Sequence, residues 1–186
     1  MAKKIKGKTW FTVVAPKFFE EKSLGETPAD EAKKVMFRVV EAPLINLTND
    51  MSKFYIKMKF RVIKVEDTKA YTEFAGLECL RDYISRMIRR GIERIDTRQV
   101  LETKDGRKII VKTITITNRR VTRGVGKTIR KFVEEKIEKY VKSNKLDGFL
   151  ESILNDSLKN EIMKEGSKIY PLRDFIVRKV EVPIKK

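Results

Sequence analysis

Residues 54–63 carry the clearest pattern in the chain. Phe54, Ile56, Met58, Phe60 and Val62 alternate with Lys57, Lys59 and Arg61. A period of two turns one apolar face inward and one basic face outward, which predicts a strand. Further runs rich in β-branched and aromatic residues predict strands at 10–15, stopped by Pro16, at 35–42, stopped by Pro43, and at 71–75, 98–103, 108–117 and 175–182. The pair Asp105-Gly106 between two of these runs is a strong hairpin signal. Residues 20–31 hold Glu20, Glu21, Glu26, Asp30 and Glu31 around Gly25 and Pro28, and read as an acidic loop.

Elsewhere the period lengthens. Leu77, Leu80, Ile84, Met87, Ile88 and Gly91 follow helical spacing, with Arg81, Arg86, Arg89 and Arg90 on the opposite face and Asp82 as their main offset. This predicts a helix over 77–90, closed by Gly91, with Cys79 on its polar side. A second stripe, Ile129, Phe132, Val133, Ile137, Tyr140 and Val141, predicts a longer helix. A more acidic helical region follows at about 147–165, broken by Gly166 and Pro171. Strands come mostly first and helices second, with a final strand. The class is α+β: a curled, mostly antiparallel sheet or barrel, one helix between strands, and C-terminal helices packed against it. A basic arm at 1–8 precedes a single domain at 9–186.

Charge changes this picture from an architecture to a function class. The 186 residues include 43 Lys and Arg against 26 Asp and Glu, a net charge of +17, and no histidine. Such an excess suits a polyanion, because Lys and Arg gain affinity by releasing counterions condensed on phosphates. Without histidine the commonest proton-transfer group and transition-metal ligand is missing. The single Cys79 rules out an internal disulfide and the Cys/His zinc sets. No cofactor or metal is expected. No apolar run approaches a membrane span and residues 1–8 have no signal-peptide core, so a cytoplasmic protein away from membranes is expected.

The candidate RNA contacts fall in five places. Lys3, Lys4, Lys6 and Lys8 form the N-terminal arm, and Lys57, Lys59 and Arg61 the basic face of a strand. Arg86, Arg89 and Arg90 lie on the first helix, and Arg178 and Lys179 in the last strand. The densest group is Arg119, Arg120, Arg123, Lys127, Arg130 and Lys131, where residues 119–131 contain two glycines and no acid. Like charges so close repel one another, and phosphate would relieve them. Residues 119–128 are expected to form an open loop that RNA orders. Within it, Gly124-Val125-Gly126-Lys127-Thr128 resembles the end of a nucleotide-binding P-loop. Val121 stands where that motif needs its first glycine, which argues against nucleotide hydrolysis. Of Trp10 and Phe11, at least one is expected in the core, the other being able to stack on a base.

Several segments also resemble a known family. Residues 8–19, Lys8-Thr9-Trp10-Phe11-Thr12-Val13-Val14-Ala15-Pro16-Lys17-Phe18-Phe19, are similar to the opening of the archaeal and eukaryotic small-subunit ribosomal protein family eS-one, or S-three-Ae. Phe74-Ala75-Gly76-Leu77, Arg81-Asp82 and Thr103-Lys104-Asp105-Gly106 fit the same family. So does Ile169-Tyr170-Pro171-Leu172-Arg173-Asp174 running into Val177-Arg178-Lys179-Val180. The resemblance spans residues 8–182 and is to the compact archaeal form. It implies a structural rRNA-binding protein on the small-subunit (30S) platform, near the 3′ end of the rRNA and the mRNA exit. Neighbouring platform proteins are implied as partners, with the acidic stretches 20–31 and 147–165 turned away from RNA, and mRNA at the exit is a further partner it allows. It supplies no catalytic residues. The alternative from the charge alone is a free RNA-binding factor, either an RNA chaperone or a translation regulator.

Overall fold

A computed structural model of the chain describes residues 7–183. Eight strands form a mixed, mostly antiparallel sheet that stays open, so the barrel alternative falls away. The chain packs as two compact units, the first ending at Gly76 and the second beginning at Leu77.

The first unit holds β1 (Thr9–Val14), β2 (Ser23–Ala29), β3 (Val39–Pro43), the short helix α1 (Ile45–Thr48), β4 (Ile56–Glu66) and most of β5 (Lys69–Cys79). β3 runs antiparallel to β4, and β1 lies antiparallel to β2 and parallel to β5. The alternation read from the sequence holds from Ile56 onward, whereas Phe54, expected on the same inward face, precedes β4 and is half exposed. Ile56, Met58, Phe60 and Val62 are buried, while Lys57, Lys59 and Arg61 are half-buried on the other face. Phe11, Val13, Ala29, Val35, Val62 and Ala70 form one core cluster. Phe11 is thus core and Trp10 is 59% exposed, the division expected of that pair.

The acidic loop is a correction. Residues 23–29 of it form β2, in register with β1 from Trp10↔Pro28 to Val13↔Gly25. Gly25 takes φ +125, beside the register shift at Val13/Val14, a backbone conformation that favours glycine. Pro28 has no N–H to donate, which an edge strand tolerates. Arg38 reaches across to this edge, donating to Thr27 Oγ1 at 2.7 Å and to the Pro28 carbonyl at 3.1 Å.

The second unit holds α2 (Arg81–Met87), β6 (Arg94–Glu102), β7 (Lys108–Thr117), α3 (Arg123–Ser143), α4 (Leu146–Leu154), α5 (Ser157–Gly166) and β8 (Leu172–Glu181). β7 is the middle strand, antiparallel to β6 on one side and β8 on the other. The Asp105-Gly106 hairpin joins β6 to β7 as expected, with Gly106 at φ +68. Asp105 also accepts a hydrogen bond from the Leu146 N–H at 3.2 Å, so the turn satisfies an open donor at the start of α4. Gln99 donates to the Glu134 carbonyl at 3.0 Å, which turns the odd-numbered face of β6 toward α3.

The helix expected over 77–90 is much shorter. Leu77, Glu78 and Cys79 continue β5, and α2 occupies only 81–87. Arg89 and Arg90 therefore lie in the turn before Gly91 and not on a helix face. Sheet pairing of Leu77–Cys79 overrides a helical spacing that their apolar side chains share by coincidence. Cys79 is 2% exposed in a strand, not on the polar side of a helix. Burial, with the Asp174 carboxylate adding to it, pushes its thiol up to about 12. Since the thiolate is the reacting form, native Cys79 is expected to resist iodoacetamide at about pH 8 and to react fully once unfolded. Prompt labelling of the folded protein would contradict this placement.

The stripe expected for α3 is present: Ile129, Val133, Ile137 and Val141 are all fully buried. The acidic region is two helices, not one, because Asp156 takes φ 55 and turns the chain between α4 and α5. Lys136 of α3 binds Glu161 at 3.3 Å and Glu165 at 2.7 Å of α5. The hydrogen bond from Lys136 holds the Glu165 carboxyl below the usual range, and in turn raises the Lys136 ammonium. At the start of β8, Asp174 is nearly buried and accepts from Lys159 at 2.7 Å and from the Phe175 N–H at 2.8 Å.

Candidate nucleic-acid interface

Helix α3 brings the densest basic group together. The loop expected to reach residue 128 is confined to residues 118–122, and Arg123 already opens the helix. The Thr117 hydroxyl donates to the Arg119 carbonyl at 2.6 Å, and the Gly126 N–H to the Thr122 carbonyl at 3.0 Å. Gly124 and Gly126 each cost about 1 kcal/mol in helix propensity relative to alanine. The long apolar stripe behind them offsets that cost. Since Gly124-Val125-Gly126-Lys127-Thr128 is helical, it forms no loop that could wrap a nucleotide phosphate.

The first turn of α3 contains no acid. Among the described residues, Arg119, Arg120, Arg123, Lys127 and Arg130 are exposed and make no ion pair, while Lys131 lies 3.9 Å from Glu135. Cations here also face the positive end of the helix dipole. The group is electrostatically unfavourable in isolation and favourable beside an anion.

A second basic site was not legible as a site in the sequence. Arg81, Arg98, Lys112, Arg178 and Lys179 line a half-open cleft of about 380 Å³, together with Glu78 and Asp96. Strand register builds it: Arg98 lies opposite Lys112, and Lys112 opposite Lys179. Three cations thus form a row across β6, β7 and β8, on the sheet face opposite the one that Gln99 turns to α3. Between Lys112 and Thr113 the β7–β8 register shifts, leaving Arg178 as the extra residue of a bulge.

The carboxylates at this site are engaged with its two lysines or with Arg94. Asp96 is held by Arg94 through two bonds of 2.8 Å. Glu181 binds Lys179 at 2.6 Å and Lys112 at 3.2 Å. The Lys179 ammonium, helped by Lys112, holds the Glu181 carboxyl below its ordinary range although burial opposes this. Lys179 also lies 3.9 Å from Glu78. Arg81, Arg98 and Arg178 have no such partner among the described residues.

Of the cations read from the sequence, Arg178 and Lys179 belong to this cleft, as does Arg81 of the arginine face predicted on the first helix, whereas Arg98 and Lys112 were not among the expected contacts. The available signal was the hairpin register: a turn centred on Asp105 places residue 98 opposite residue 112. Lys59 and Arg61 are paired within the sheet to Glu41 at 2.8 Å and Glu73 at 3.5 Å, and Lys57 stands beside them. Arg86, Arg89 and Arg90 are exposed at and after the end of α2, and Lys8 is exposed before β1. Lys3, Lys4 and Lys6 lie outside the described residues. No group of acidic or cysteine side chains among the described residues is arranged to hold a metal ion, and no helix there is long and apolar enough to cross a membrane.

Known proteins match this chain over nearly its whole length. The model of the ribosomal S3Ae family covers residues 1–185. Small ribosomal subunit protein eS1 of Methanopyrus kandleri is 39% identical over 183 residues, covering 96% of this chain and 87% of that protein. The eS1 protein of Sulfurisphaera tokodaii is 40% identical over 179 residues, covering 96% and 93%. That of Archaeoglobus fulgidus is 37% identical over 177 residues, covering 94% and 84%. This is a family of ribosomal proteins, not enzymes, in keeping with a helical segment where a P-loop would be needed. Matched from its first strand to its last, and carrying unpaired cations on two separate surfaces, the chain belongs to the ribosomal S3Ae family.

Proposed function

We propose that this protein is a structural constituent of the small ribosomal subunit, bound to rRNA on the platform near the rRNA 3′ end and the mRNA exit, in the cytoplasm. The observation that carries the rRNA contact is the run Arg119, Arg120, Arg123, Lys127 and Arg130, exposed and unneutralised at the start of α3. Cations in that state gain most from phosphate, because no internal ion pair has to break first. The family match and the eS1 names of its relatives support the small subunit as the setting. The platform location rests on the resemblance of the opening and closing motifs.

Protein neighbours suit the first unit, where Trp10, Phe37, Val39, Met51 and Phe54 are each at least half exposed. Apolar groups of that size are enriched where one protein meets another. The acidic stretch 20–31 is a surface that phosphate would avoid, and mRNA passing the exit is a further partner.

Gradients of cell lysate at low and at high salt test this reading against a free RNA-binding factor. The protein is expected to sediment with small-subunit particles, and crosslinks from its lysines are expected to map to the 3′ region of the rRNA. Recovery in the light fractions already at low salt, where the particles are intact, would favour the free factor. Retention with crosslinks confined to another region would remove the platform location.

A further inference from the structure

We propose that the cleft lined by Arg81, Arg98, Lys112, Arg178 and Lys179 is a built seat for an RNA backbone phosphate, distinct from the α3 surface. The inference deepens the rRNA-binding reading and rests on it.

Three observations carry it. The first is the cross-strand row Arg98–Lys112–Lys179, fixed by the register of three antiparallel strands. Like charges directly opposite one another destabilise a sheet. Glu181 relieves Lys112 and Lys179, and Arg98 is left facing Lys112 with no carboxylate partner among the described residues. The second is the bulge at Arg178. An extra residue in β8 re-aims a side chain, and here it adds a second cation beside Lys179 in the same cleft.

The third is how charge is distributed within the cleft. Glu181 already bridges both lysines, and Asp96 is taken by Arg94. The partnerless groups are arginines, whose planar fork matches two phosphate oxygens at once. Among the described residues no aromatic ring lines the cleft, so these offer no stacking platform for a base. The chemistry is that of a phosphodiester contact independent of sequence, with Arg98 and Arg178 as its forks and the two lysines as a surrounding positive field.

The test uses the full chain and a small-subunit rRNA transcript. The double variant Arg98→Gln and Arg178→Gln is expected to bind about tenfold more weakly than wild type, as befits loss of charge-assisted hydrogen bonds. The slope of log affinity against log salt is expected to shrink by about one phosphate contact. Its melting temperature is expected to stay level or rise, because Arg98 no longer faces Lys112 across the β6–β7 pair. Glu181→Gln, which frees both lysines, is expected to bind as tightly as wild type or more so. Inorganic phosphate supplies an RNA-independent arm: arginine Nε resonances of wild type are expected to shift saturably, and the double variant is expected to lose that response.

An unchanged rRNA affinity and salt slope in the double variant would overturn the seat while leaving rRNA binding intact. Normal rRNA affinity combined with exclusion from small-subunit particles would also overturn it, assigning the cleft to an acidic segment of a neighbouring protein. Should wild type fail to bind rRNA while phosphate still saturates the arginines, the ribosomal reading fails and the cleft remains an anion site.

Discussion

Raising monovalent salt from about 50 to about 200 mM is expected to weaken binding of this protein to small-subunit rRNA by about a thousandfold or more. The size of the effect follows from the number of cations free to meet phosphate. Among the described residues, five on and before α3 have no carboxylate partner, and Arg81, Arg98 and Arg178 in the cleft have none either. Six to ten phosphate contacts correspond to losses of about three to five decades over that salt range. Cations already paired contribute less, because binding must first exchange their carboxylates. That discounts Lys59 and Arg61, held by Glu41 and Glu73. Filter binding or fluorescence anisotropy across a salt series measures the slope directly. A curve that stays flat would mean that the affinity comes from apolar or base-specific contacts, which these surfaces do not offer.

Phe149→Ala is expected to be the most damaging single substitution in the helical layer, costing about 3–5 kcal/mol. Phe149 lies in α4 and is fully buried, with Leu146, Leu150 and Ile153 buried on the same short helix. Nine residues cannot hold a helix by propensity alone, so α4 depends on its packing. Removing the ring forfeits its transfer energy and leaves a cavity that neighbours anchored on α3 and α5 cannot close. A domain of this size loses about 2–4 °C of melting temperature per kcal/mol, so a fall on the order of 10 °C is expected. Thermal melts followed by the helical circular dichroism signal report it, because the four longest helices (α2, α3, α4 and α5) include the altered one. Phe149→Leu is the control, expected to cost about 1.5 kcal/mol or less. A loss below about 1 kcal/mol for the alanine variant would show that this ring is not packed in a close-fitting core.

Some of the interface was open to sequence reasoning because charge and spacing are local properties. The group from Arg119 to Lys131 needed no tertiary information: six cations without an acid are visible in the chain itself. The open loop expected over 119–128 ends at residue 122, because glycines at 124 and 126 loosen a backbone without preventing helix. In the structure no close contact demands glycine at either position, and the apolar stripe from Ile129 onward propagates helix back through them. The cleft was hidden for a different reason. Arg98, Lys112 and Lys179 are 14 and 67 residues apart in sequence, and only strand register makes them neighbours.

By itself, then, the sequence determined the features that repeat with a short period or depend on composition. The alternation at 54–63 was enough for β4, the turn at Asp105-Gly106 for the β6–β7 hairpin, and the stripe through Ile129 and Ile137 for α3. The excess of Lys and Arg without histidine was enough for a polyanion-binding class. Tertiary structure alone decided what depends on a distant partner. Residues 23–29 have little β propensity and became β2 because β1 offered an open row of donors and acceptors, and unpaired backbone groups are costly to bury. Leu77 to Cys79 entered β5 and not a helix. Lys59, Arg61 and Lys136 spent their charges on carboxylates brought close by folding, while Arg98 and Arg178 kept theirs. Coulombic attraction and hydrogen bonding act over a few ångströms whatever the sequence separation, so which cations remain available to RNA is settled only when the strands pair.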